Sequence, residues 1–174
     1  GEGGMIVTDD DLIAQRARQL RDHGMDTSKG YWHPEIGFNY RMTNLQAALG
    51  VAQMDKIDEV LEKKLEIART YENFLSKSAG LILPKQASWA KHIYWMYTIL
   101  VEENITNINR DDMLKILTSE KIEARSSFIP MSCQPPFKTE KKFPVSNMIS
   151  SKGLSLPSYV GLAEDDIKRV CDVI

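Results

Sequence analysis

Gly37-Phe38-Asn39-Tyr40-Arg41-Met42-Thr43-Asn44-Leu45-Gln46-Ala47-Ala48-Leu49-Gly50 is the stretch where the chain turns from loop to helix. Thr43 is placed to cap the helix, with Gln46 three residues on as its capping-box partner. Leu45, Ala48, Leu49 and Ala52 then recur at threes and fours, the spacing of one helix face. Upstream, residues 25–40 hold Gly30, Pro34, Gly37 and several aromatics without a helical period. That pattern predicts a long structured loop, and such loops often carry function. The amide of Asn39 and the guanidinium of Arg41 stand just before a helix N-terminus, where unpaired N–H groups and the helix dipole already favour an anion. The same polar groups also suit a purely structural loop that caps the helix.

Toward the N-terminus, residues 5–8 (Met5-Ile6-Val7-Thr8) read as a strand leaving the glycine turn Gly1-Glu2-Gly3-Gly4. Asp9 or Asp10 then caps a helix running through Arg21, which Gly24 ends. Toward the C-terminus, the helical period continues through Ser76, so one helix is expected over residues 43–76. Its first third is small and weakly charged, which predicts burial, and the charged run of residues 59–66 predicts a solvated face that includes Lys64. After Gly80 the pattern changes. Strands are expected at 81–83, 94–101 and 122–126, with an extended segment at 154–157. Helices are expected from Asn109 or Asp111 to Ser119, over 145–152 and over 162–173. Residues 128–137 are too rich in proline for regular structure. The pattern divides the chain into residues 1–76 and a small α+β domain over residues 77–174.

Composition narrows the function classes. The net charge of −2 and the lack of any lysine/arginine block argue against a nucleic-acid partner. No apolar run is long enough to span a bilayer, so a soluble cytoplasmic protein is expected, with no membrane partner. Cys133 and Cys171 have no metal-type spacing and read as reduced thiols, with a disulfide between them as the open alternative, and no metal site is expected. The chain opens on glycine and closes on a helix without a polar cap, so both ends are expected to be cuts.

Three segments, in order, resemble signatures of the DegT/DnrJ/EryC1/StrS aminotransferases. They are Gly1 to Thr8, then Gly37 to Gly50, then Ile122 to Met131 together with Gly153-Leu154-Ser155-Leu156-Pro157. The resemblance implies an α/β fold: part of a fold-type I pyridoxal-phosphate (PLP) transferase large domain, ending in a long connecting helix, then a small C-terminal α+β domain. It implies a parent enzyme that uses PLP and glutamate to aminate a nucleotide-linked keto-deoxy sugar, for surface polysaccharide or related sugars. A GDP-sugar branch is the preferred one. In the family the asparagine matching Asn39 reaches across a homodimer interface to the cofactor phosphate of the other subunit. Arg41 is placed beside it as a cofactor contact, or as a brace for the loop.

His33, His92, Arg125 and Phe128 are the candidate substrate contacts, although each histidine sits beside aromatics and also suits a structural role, and Phe128 also suits a core position. Ser126 and Met131-Ser132 stand where the family pattern has proline and histidine, which leaves the sugar open. The family's Schiff-base lysine is expected upstream of Gly1. No residue of this chain is therefore assigned a catalytic role, and the chain alone is expected to be inactive, without bound PLP. The alternatives from another class are a non-catalytic dimerisation or regulatory module, or a truncated relic.

Overall fold

The computed structural model describes residues 1–174. The chain forms two compact units, Gly1–Ile57 and Asp58–Ile174.

In the first unit, α1 (Asp11–Arg21) starts at Asp10, whose carboxylate accepts from the backbone N–H groups of Leu12 and Ile13. α2 (Asn44–Met54) starts at Thr43 with both hydrogen bonds of the expected capping box in place. The expected single helix over 43–76 is instead two, α2 and α3 (Ile57–Leu75). The reason is a slip in the apolar stripe: after Ala52 the next inward positions fall on Asp55 and Lys56 rather than on apolar side chains. Lys56 N–H bonds back to the Gln53 carbonyl at 3.1 Å, a tight three-residue closure that ends α2. Burial of the helix's first third is also overturned, since α2 has no buried residue and Leu45 is 82% exposed. The expected strand at 5–8 does not form. A strand needs a paired neighbour, none is present, and Met5, Ile6 and Val7 are exposed.

The second unit holds every residue of the buried apolar cluster. Four antiparallel strands lie in the order β1-β2-β4-β3: β1 (Leu81–Ile82), β2 (Tyr97–Val101), β3 (Arg125–Ser126) and β4 (Gly153–Leu156). Tyr97 pairs with Leu156 and Ile99 with Leu154, so these four side chains share one face by strand alternation. That face belongs to a core with Tyr71 and Leu75 of α3, Met113 and Leu117 of α5 (Arg110–Ser119), and Ile167 and Val170 of α7 (Glu164–Val173). On the opposite face Thr98 and Ser155 meet through their hydroxyls at 2.8 Å. A short helix α4 (Glu103–Thr106), absent from the sequence reading, follows β2, and α6 (Pro144–Lys152) leads into β4.

The expected strand at 122–126 is shortened to β3. Lys121 takes a left-handed conformation, φ 60°, at the end of α5, and Ile122 turns inward to become core. In the 128–137 segment, Met131–Cys133 and Pro135–Phe137 form single 3₁₀ turns. α3 presents its inner face, from Lys64 through Ile67, Ala68, Tyr71 and Leu75, to the buried part of this unit. The helix thus packs with the C-terminal unit, whereas the sequence pattern grouped it with residues 1–76. Lys64 corrects the solvated reading of the charged run, because it lies in phase with Ala68 and Tyr71 and is buried. No helix is long and apolar enough to cross a membrane.

Candidate functional site

The loop of the first unit is built by backbone pairing. His23 N–H donates to Phe38 O, Phe38 N–H to Leu20 O and Tyr40 N–H to Arg21 O, at 2.8, 2.7 and 2.9 Å. These bonds lay residues 38–40 against the end of α1, with Asp22 and Asn39 in an antiparallel bridge. Two glycines permit the approach: a β-carbon on Gly37 would stand 1.9 Å from the Gly24 nitrogen, and Gly24 itself has φ 66°. At the loop tip, Asp26 accepts from both the hydroxyl and the backbone N–H of Ser28, and those bonds hold its carboxyl below the usual range. Arg16 and Glu35 form an ion pair that ties the loop to α1.

Phe38 and Tyr40 stack with ring centroids 5.1 Å apart and planes 11° apart. In extended backbone, side chains two apart share a side, so this stack leaves Asn39 and Arg41 on the other. Asn39 is exposed, and Arg41 lies 3.4 Å from the Asp22 carboxylate, which also meets His23 Nδ1 at 3.0 Å. Two residues past Arg41 comes Thr43, the cap of α2, and Gln46 Nε2 reaches back to the Glu2 carbonyl at 2.9 Å. An amide and a guanidinium thus stand together at the approach to a capped helix. His33 lies in the same loop, where its Nδ1 meets the His23 carbonyl at 3.0 Å.

The second unit carries the other sequence-identified candidates, in two places. His92 and Phe128 line one shallow hollow together with Lys91 and Trp95. Trp95 and Phe128 are nearly parallel, with ring centroids 6.3 Å apart, and both are about 70% exposed. His92 packs on Tyr94 at 4.1 Å and accepts from its backbone N–H. Arg125 lies elsewhere, in a cleft of about 460 Å³ that includes Lys121, Tyr159, Asp166 and Arg169. There it pairs with Glu123 at 2.7 Å, both side chains being largely exposed.

Two features of these surfaces were not singled out from sequence. Trp95 was legible only as a neighbour of His92. Lys64 donates to the Trp95 carbonyl and the Ser158 hydroxyl, each at 3.0 Å, and to the Ser158 carbonyl. Burial lowers its pKa below the ordinary lysine value.

Comparison with known proteins gives these arrangements a context. The model of the DegT/DnrJ/EryC1/StrS aminotransferase family matches residues 1–174. The chain is 40% identical to a GDP-perosamine synthase of Caulobacter vibrioides, over 98% of this chain and 46% of that protein. It is 37% identical to one from Vibrio cholerae, over 100% of this chain and 48% of that protein. The chain therefore spans about half the length of the curated relatives it matches. Among solved structures it superposes on DesI, determined in the presence of its TDP-sugar product. That match has a TM-score of 0.85 and 27% identity, and covers 96% of this chain and 43% of that one. The fold is accordingly the corresponding portion of the α/β fold of PLP-dependent sugar aminotransferases.

Proposed function

Because this chain belongs to the DegT/DnrJ/EryC1/StrS aminotransferase family, we propose that it supplies the phosphate-gripping loop and sugar-facing surfaces of an enzyme that aminates a nucleotide-linked keto-deoxy sugar. The observation that carries the reading is an exposed Asn39 beside Arg41 at the capped start of α2. The donor chemistry fits the phosphate of PLP: the amide offers N–H groups without charge, and the guanidinium offers a fork that matches phosphate oxygens. Asp22 pairs with Arg41 and orients it, and an incoming phosphate competes with that carboxylate. When bound, PLP supplies the electron sink that lets an amino group move between glutamate and the sugar. His92 and Phe128 wall the sugar nucleotide, Arg125 contributes a cation and His33 supports the loop. Three relatives named GDP-perosamine synthase support GDP as the nucleotide.

Asn39 reaches a cofactor seated mainly in a second copy, so the working form is a homodimer. The exposed apolar side chains of α2, Leu45, Leu49 and Met54, favour such association. They also support the second reading, a dimerisation or regulatory module from the same family. A polypeptide of residues 1–174 alone is expected to transfer no amino group, because none of its lysines takes the place of the family's cofactor-linked lysine. Borohydride treatment of this polypeptide with PLP should leave no pyridoxyl group on any one lysine. A specific, stoichiometric adduct overturns that. The reading itself is tested with the full-length protein bearing these residues, a GDP-linked keto-deoxyhexose and glutamate. Formation of the amino sugar supports it, and failure to aminate any nucleotide-linked keto sugar favours the regulatory module.

A further inference from the structure

We propose that Lys64 is a positioning residue, fixing Trp95 so that its indole lies parallel to Phe128 as a platform for the planar base of the sugar nucleotide. The inference rests on the substrate reading above for the identity of the ligand. Its geometry comes from the second unit alone.

Lys64 sits on the inner face of α3, buried, and no carboxylate pairs with it. A buried ammonium without an anion is costly unless its N–H groups are all engaged. Here three oxygens engage them: the Trp95 carbonyl, the Ser158 carbonyl and the Ser158 hydroxyl. An apolar side chain at this position would leave those acceptors unpaired, whereas lysine binds the start of β2 to the segment leaving β4. Two turns further along the same face, Tyr71 donates to the Pro157 carbonyl at 2.8 Å. The two donors therefore hold the 157–158 backbone from one helix, and Lys64 alone extends the hold to Trp95.

The platform is the consequence. Trp95 lies in a bend just before β2, outside any hydrogen-bonded ladder, and its ring is 70% exposed. Burial of the indole does not fix it, so its backbone anchor must. With the carbonyl held, the indole lies 10° from the plane of Phe128, next to Lys91 and His92 in one hollow. Exposed parallel aromatics beside cationic or hydrogen-bonding groups suit a ligand that joins a flat ring to phosphates.

The test uses a protein in which Trp32 and Trp89 are replaced by phenylalanine, leaving Trp95 as its only reporter. Lys64→Met should lower the fluorescence anisotropy of Trp95, as its exposed ring gains freedom, with far-UV circular dichroism unchanged. Ser158→Ala, which removes only one acceptor, should give a smaller change in the same direction. The double variant should match Lys64→Met, because both act through one contact. GDP titrated into these proteins should bind about tenfold more weakly to Lys64→Met, the loss of roughly one base–aromatic stack. Trp95→Ala should cost the same. Unchanged Trp95 anisotropy in both Lys64→Met and Ser158→Ala overturns the proposal, as does a loss of anisotropy that leaves GDP affinity intact. If GDP does not bind the parent protein at all, the nucleotide reading fails, and the Trp95 anisotropy alone then decides whether Lys64 positions the ring.

Discussion

Residues 1–57 and 58–174 hold their shapes by different means. The second unit closes around interlocking side chains from α3, α5, α7 and two central strands, with Ile99 and Leu117 fully buried. The first has no buried apolar side chain, and hydrogen bonds, caps and the Gly24–Gly37 approach define its loop. One unit is stabilised mainly by removing apolar surface from water, the other by backbone geometry that leaves its side chains outward. The proposed phosphate grip sits in the second kind of structure, where donors are already exposed and in place.

The largest expected effect tests the contrast directly. Leu117→Ala should destabilise the second unit by about 2–5 kcal/mol in denaturant unfolding, whereas Leu45→Ala should change the stability of the isolated chain by roughly 0.5 kcal/mol or less. Comparable losses would dissolve the distinction. Next, Gly37→Ala places a β-carbon against the Gly24 backbone. It should open the loop at a cost of about 1–3 kcal/mol, read as faster amide exchange at His23 and Tyr40 with the unfolding of residues 58–174 unchanged.

A smaller effect appears with pH. Burial raises the pKa of Tyr71 and Tyr97 in the folded state. Both phenols stay neutral when folded but ionise near 10 when unfolded. The stability they contribute is complete below that pH and falls progressively above it. Unfolding midpoints measured from pH 9 upward, with phenolate absorbance followed in parallel, check the sign. Burial likewise pushes the Cys171 thiol up to about 12, so a thiol reagent near pH 8 should label the exposed Cys133 first. The smallest effect is expected at the exposed Glu123–Arg125 pair. There Glu123→Gln should change stability by about 1 kcal/mol or less.

The contrast also explains what sequence could reveal. The helix starts at Asp10, Thr43 and Asn109 were legible because capping is local chemistry written in adjacent residues. β2 was legible from its aromatic and β-branched composition, although pairing with β4 decides its ends. The break between α2 and α3 was hidden by a stripe that resumes one residue out of phase. The strand expected at 5–8 failed because pairing depends on a neighbour that local composition does not specify. Lys64 was obscured by its charged neighbours, yet its spacing from Ala68, Tyr71 and Leu75 carried the signal. Asn39 and Arg41 were singled out from their place before the helix and from the family resemblance, and His92 and Phe128 share one hollow. The stacking of Trp95 on Phe128 could not be read, since it joins segments about thirty residues apart through tertiary packing.

The most direct test concerns the exposed amide at position 39. In a protein that carries these residues together with a PLP-linked lysine, Asn39→Ala and Asn39→Asp should be compared with the parent for PLP affinity by equilibrium titration. A phosphate grip at Asn39 requires a loss of roughly ten- to a hundredfold for alanine, the value of a hydrogen bond to a charged group. Aspartate should lose more through repulsion, and the unfolding of residues 58–174 should be unaltered. Parent-like PLP affinity in both variants would contradict it.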